Sequence, residues 1–169
     1  MHQLVRLARE AVRKYILDGV TITPPDYIDD EYKKNSAGVF VSLKKDGRLR
    51  GCIGTFIPVM DCIAEEVIKN AISSATQDPR FQPVTAEELE DIAFSVDILS
   101  LPEKVDSVDG LDHRKYGIIV VSGYKKGLLL PDLEGVNSVD EQLQIAKAKA
   151  GIMPGEDIEI FRFEVKRYK

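Results

Sequence analysis

The stretch GVFVSLKKDGRLRGCIGT, residues 38–55, decides the fold. Val39, Val41 and Leu43 alternate with Phe40 and Ser42, the period of two expected of a strand with one buried face. Asp46-Gly47 is a pair that suits a hairpin turn, because both residues tolerate positive φ. Arg48 to Thr55 then reads as the return strand. A hairpin this early implies antiparallel pairing.

Working outward, Leu4, Val5, Ala8, Ala11, Val12, Tyr15 and Ile16 recur at helical spacing, and Gly19 is a natural stop. Residues 20–37 hold Pro24, Pro25, Asp29, Asp30 and Asn35 and read as a long loop. Downstream, Asp61 offers an N-cap for a helix carrying Ile63, Ala64, Val67, Ile68, Ala71, Ile72 and Ala75. That helix ends near Gln77, since Pro79 disfavours a helical Asp78. Thr85 with Glu88 matches a capping box for a short helix. Phe94, Val96 and Ile98 mark a strand over 92–99, closed by Pro102. Residues 103–116 read as polar and turn-rich, with a helical turn around Val105–Val108. Ile118–Val121 and Gly127–Leu130 flank a turn at Gly123–Lys126. Ser138 with Glu141 caps a helix that Gly151 ends, and Ile158–Val165 is a final strand. Helices and hairpins in this order predict an α+β fold with a mainly antiparallel sheet flanked by helices.

The chain has 169 residues, enough for one core but not two full ones. Lys and Arg number 23 against 28 Asp and Glu, a net charge of −5, which disfavours a nucleic-acid partner. No stretch approaches the roughly 20 apolar residues of a membrane helix. The N-terminus lacks an apolar signal core, so a cytoplasmic protein with no membrane partner is expected. Two cysteines and two histidines are too few for a disulfide scaffold or the common zinc spacings, and no metal site is expected. No glycine-rich phosphate loop is present, and nothing names a cofactor.

Chemistry concentrates in two segments. Leu49-Arg50-Gly51-Cys52-Ile53-Gly54-Thr55 places two glycines in one strand, which marks a bulge or a close approach of another group to the backbone. Regular alternation puts Arg50 and Cys52 on one face, where a cation favours the thiolate. Cys52 is therefore a candidate nucleophile or ligand contact. Against this, cysteine often packs as a small apolar residue, and the glycines can simply admit a helix. The one histidine beyond the terminus, His113, reads as exposed, and nothing places it as a base. In Asp78-Pro79-Arg80-Phe81, a rigid loop carries an arginine able to clamp a carboxylate or phosphate, or to close an internal ion pair. Cys62 sits just after the expected N-cap and reads as packed.

LRGCIGT, residues 49–55, resembles the signature of the AMMECR family. AISSATQDPRFQPVTAEEL, FSVDILS, KYGIIVVSGYKKGLLLP and EQLQIAKAKAGI are similar to further blocks of that family in the same order, so one AMMECR-type domain over 1–169 is expected. The resemblance implies two unequal lobes with a cleft, the smaller lobe formed by part of the middle of the chain. The wording around Leu133–Val136 and Ser138–Gln142 looks like the branch called AmmeMemoRadiSam system protein A. That branch implies Memo-like and radical SAM proteins as partners. By the same route Cys52 becomes the catalytic candidate, and Arg50, Gly51, Gly54, Thr55, Asp78 and Arg80 become ligand-binding candidates, with Pro79 and Phe81 beside them. The resemblance names no reaction. It implies binding or modification of a small anionic ligand at the RGCIG segment, or else a non-catalytic accessory module.

Overall fold

In a computed structural model describing residues 1–169, the hairpin is formed by β1 (Val39–Lys45) and β2 (Arg48–Thr55). Asp46 and Gly47 turn it with φ of 51° and 75°, the left-handed values such a turn requires. Ahead of it lie α1 (Gln3–Asp18) and a five-residue helix, α2 (Asp30–Lys34), inside the segment expected to be a loop. After it come α3 (Ile63–Thr76), a 3-10 helix over Ala86–Asp91, and β3 (Ile92–Leu99). The chain continues through β4 (Glu103–Val105), a 3-10 turn at Val108–Gly110, β5 (Tyr116–Ser122), β6 (Lys125–Leu129), α4 (Val139–Ala150) and β7 (Glu159–Tyr168). The expected α+β class with antiparallel pairing is what the chain adopts.

The chain divides into two unequal units, Met1–Leu99 with Lys166–Lys169, and Ser100–Val165. In the larger unit β1 is central, with β2 on one side and β3 on the other. Cross-strand partners share a face. Val39, Val41 and Leu43 therefore lie on one side with Ile53, Gly51, Val96 and Phe94. Against that side pack α1, through Leu4, Leu7, Ala8, Ala11 and Val12, and α3, through Ala64, Val67 and Ala71. α1 ends where expected, at Gly19 in the left-handed conformation. α3 begins one residue later than Asp61 suggests, with buried Cys62 as its N-cap and no side-chain cap bond.

In the smaller unit, β5 pairs with β6 and β7, and β4 pairs with β7. α4 covers this sheet, its core being Ile118, Val120, Leu129, Leu143, Ala146 and Ile152. Ser138 caps α4 by accepting from the Glu141 N–H at 3.1 Å, and Gly151 closes it with φ of 70°. His113 belongs to this unit. Its Nδ1 is enclosed without a hydrogen-bond partner, so the ring is not the freely solvated one expected.

Candidate functional site

A one-residue irregularity sets which way Cys52 faces. A two-residue turn at Asp46-Gly47 pairs Lys45 with Arg48 and Lys44 with Leu49. Unbroken register would next pair Leu43 with Arg50 and Ser42 with Gly51, leaving Cys52 opposite Val41 on the helix-covered side. Instead the register shifts between Leu43 and Lys44, so Leu43 pairs with Gly51 and Ser42 with Cys52. Arg50 is the extra residue of a β-bulge. A slip of one residue exchanges the faces of everything beyond it. Cys52 thereby turns to the side away from α1 and α3, in a row with Ser42 and Ser95.

The Cys52 backbone faces out of the sheet. β2 is an edge strand, and the Cys52 N–H donates to Asp78 Oδ2 at 2.9 Å while its carbonyl accepts from Arg80 Nη2 at 3.4 Å. Ser42 and Cys52 therefore form a pair without ladder bonds, in which side chains lie closest. Ser42 Oγ donates to Cys52 Sγ at 3.2 Å. Burial pushes the thiol pKa up; the Ser42 bond and Arg80 pull it down, and the Asp97 and Asp78 charges push it up. The net direction is upward, so Cys52 is a protonated thiol at neutral pH. Arg50 is not the cation beside this thiol that regular alternation leads one to expect, because the bulge takes it to Glu88.

Two carboxylate–arginine pairs flank this row. Asp78 is buried, and it accepts from Arg80 Nε at 3.0 Å, Arg80 Nη2 at 2.7 Å and the Arg80 N–H at 3.1 Å, besides Cys52. The Arg80 bonds hold its carboxyl well below the usual range. Asp97, equally buried, accepts from Arg167 Nε and Nη2, both at 2.7 Å. The carboxylates lie beneath, while the side chains of Arg80 and Arg167 remain 55% and 33% exposed. The solvent side thus presents guanidinium groups.

The other candidates go elsewhere. Arg50 makes a forked pair with Glu88 at 3.0 and 2.9 Å and donates to the Gln82 carbonyl at 2.9 Å. Arg50, followed by the Thr85 N–H and Lys45, brings the Glu88 pKa down to about 2. Thr55 shares the Val39 face and bonds to Glu66 and Asn70 of α3. A Cβ on Gly51 would stand 2.2 Å from the Ser74 carbonyl oxygen, and one on Gly54 would stand 2.2 Å from the Phe40 ring. Internal packing thus uses the space beside both glycines. Phe81 lies under two cations, with the Arg80 and Arg50 guanidinium carbons 5.5 and 6.0 Å from its ring centre.

Sequence reasoning missed a polar line that fixes this hairpin. Glu66, Asn70, Ser74 and Asp78 recur every fourth residue and are all buried. Glu66 accepts from the Val59 and Met60 N–H groups at 2.9 and 2.8 Å. Asn70 donates to the Val39 carbonyl at 2.9 Å, and Ser74 Oγ contacts the Val41 carbonyl and the Ile53 N–H, each at 2.8 Å. The signal was the four-residue spacing, hidden among apolar residues of the same helix face. No three His, Cys, Asp or Glu side chains converge as a metal site would require. An open groove of about 770 Å³ runs along the end of α1, lined by Arg13, Lys14, Leu17, Thr21, Ile22 and Pro25 among others, and includes none of the Cys52 residues.

The AMMECR1 family model matches residues 5–168, nearly the whole chain. The chain belongs to the AMMECR1 family. A protein from Thermotoga maritima is 52% identical over 170 residues, covering 99% of this chain and 98% of that one. One from Clostridium acetobutylicum is 55% identical over 166 residues, but the chain spans only 35% of its length. The crystal structure of an uncharacterized protein from Pyrococcus horikoshii superposes with a TM-score of 0.86 at 34% identity, covering 97% of this chain and 88% of that one. No helix here is long and apolar enough to cross a membrane.

Proposed function

We propose that the outer face of the β1–β2–β3 sheet binds a small anionic ligand without covalent catalysis. The observation that carries this reading is the row Ser95–Ser42–Cys52, half-buried, with Arg80 and Arg167 exposed beside buried carboxylates. Adjacent strands lie about 4.8 Å apart, so the three side chains span roughly 10 Å. The Ser95 hydroxyl and the Cys52 thiol hydrogen, with the exposed side of the Arg80 guanidinium at the rim, suit a carboxylate or phosphate, while the Ser42 hydrogen is already given to Cys52. Because Asp78 and Asp97 balance the two arginines, selectivity rests on hydrogen-bond geometry rather than on net field. Cys52 serves as a neutral wall of the site, and Gly51, Gly54, Thr55 and Arg50 shape and brace it.

Amide chemical-shift titrations with inorganic phosphate and with citrate test this. Saturable shifts at Ser42, Cys52 and Ser95, weakened at least tenfold by Arg80→Ala and unchanged by Arg114→Ala, are expected. No saturable shift at these amides with either anion would overturn it.

A second reading is an accessory module for Memo-like and radical SAM proteins in the cytoplasm, with residues 1–169 as one AMMECR-type domain. It is favoured by the Clostridium relative, in which this domain is about a third of a longer chain. Co-purification with such partners tests it, and failure to form a complex at high micromolar concentration counts against it.

A further inference from the structure

Three elements of the larger unit, α1, α2 and the end of β7, meet around His2. It is the N-cap of α1: its carbonyl accepts the first helical bond from the Arg6 N–H at 3.0 Å, and its Nδ1 accepts from the Leu4 N–H at 3.3 Å. Its ring stacks on Tyr168 of β7, 3.8 Å between centres and 18° between planes, and meets Tyr32 of α2 edge-on at 6.1 Å. Tyr32 and Tyr168 are joined through their hydroxyls at 3.2 Å. Next to His2, Gln3 receives the Asp29 N–H at 2.7 Å and donates to the Asp29 carboxylate. One imidazole thus caps a helix and seats the last strand.

We propose that His2 is a proton-sensitive cap, which holds α1, α2 and the end of β7 together when neutral and releases them when protonated. Helix caps are usually Ser, Thr, Asn or Asp, whose oxygens accept at any pH above the carboxylate range. An imidazole Nδ1 accepts only while it carries no proton, and once protonated it becomes a donor facing another donor. The added positive charge would also sit at the positive end of the α1 dipole.

The groups around the ring divide into two sets. Lys166 of β7 and the Met1 amine oppose protonation, while Asp29 and Glu31 of the α2 segment favour it, as does the face of Tyr168. Burial is the largest influence, and the balance lies below the ordinary value of 6.5. A histidine lowered in the fold binds fewer protons there than in the unfolded chain. Its contribution is therefore complete above pH 6.5 and is lost as pH falls through its own lower pKa.

The test follows the His2 imidazole and the Leu4 amide of the full chain by NMR across pH 4–8, with exchange corrected for its intrinsic pH dependence. His2 should titrate below ordinary histidine, and Leu4 protection should fall several-fold over the same range. In His2→Asn, whose amide oxygen caps without titrating, Leu4 protection should stay flat. A His2 titration at or above the ordinary value, or the same pH-dependent loss of protection in His2→Asn, would overturn the proposal.

Discussion

The two faces of the β1–β2 hairpin solve opposite problems. Toward α3, three buried polar side chains at four-residue spacing, Glu66, Asn70 and Ser74, satisfy backbone groups of β1, β2 and the 59–60 loop, interleaved with Val67 and Ala71. Away from α3, Ser42, Cys52 and Ser95 stand half-buried, with arginines to either side. The first face is finished chemistry, since its donors meet acceptors within the fold. The second leaves the Ser95 hydroxyl and much of the Arg80 guanidinium open to solvent. Gly51 and Gly54 belong one to each face. Gly51 admits the α3 backbone on the inner side, and Gly54 admits the Phe40 ring on the outer side.

That pairing is broken most severely at Gly51. In Gly51→Ala the new methyl meets a carbonyl oxygen of a packed helix, which cannot rotate away. A loss of about 3 kcal/mol or more in urea unfolding is expected. Gly54→Ala meets only an aromatic side chain, which can turn, so about 1–2 kcal/mol is expected, relieved in part by Phe40→Leu. Equal losses at the two glycines would erase the distinction between the faces. Glu66→Gln comes next. The amide keeps one oxygen for the Val59 and Met60 N–H groups but loses the carboxylate charge that strengthens both bonds, and its NH2 forces the Thr55 hydroxyl to turn from donor to acceptor. The expected cost is about 2 kcal/mol, with faster exchange of the Val59 and Met60 amides.

Acid should separate the braces from the site. Glu88 is held near 2 by Arg50, against an unfolded value near 4.5. A carboxylate lowered in the fold stabilises fully above its unfolded pKa, and that stability is lost as pH falls from 4.5 through about 2. Glu88→Gln should flatten the acid limb of the stability curve by on the order of 2 kcal/mol, measured by urea midpoints between pH 2 and 6. Asp78 acts in the same sense but lies lower still, so its share is lost last.

Most elements are legible from local pattern. Alternation around Asp46-Gly47 marks the hairpin, Gly19 and Gly151 mark helix ends, and Ser138 with Glu141 marks a start. The misses have physical causes. α2 spans five residues and β4 three, too short for a periodicity to show, and they rest on tertiary contacts such as that of Tyr32 with Tyr168. The site was harder to read than the fold. Regular alternation put Arg50 and Cys52 on one face, and the bulge at Arg50 undid it. Nothing in RLRGC marks which residue is the extra one. It is decided by Glu88, 38 residues away, which captures the guanidinium. Asp97–Arg167 spans 70 residues and joins two strands that sequence reading does not pair.

The smallest expected effect is also the one that decides what Cys52 does. Its thiol pKa is raised chiefly by burial, and the Ser42 hydroxyl is the first of the influences that lower it. Ser42→Ala removes that donor, so the thiol should titrate higher still. It should react with iodoacetamide more slowly at every pH below the titration, with a stability change within about 1 kcal/mol. Arg50→Gln should leave that reactivity nearly unchanged, because the guanidinium is spent on Glu88. Arg80→Gln should slow it, through loss of the cation beside the thiol. A native Cys52 that alkylates faster than a free thiol at pH 7, or one slowed by Arg50→Gln but not by Arg80→Gln, would restore the nucleophile and reverse the reading of the outer face.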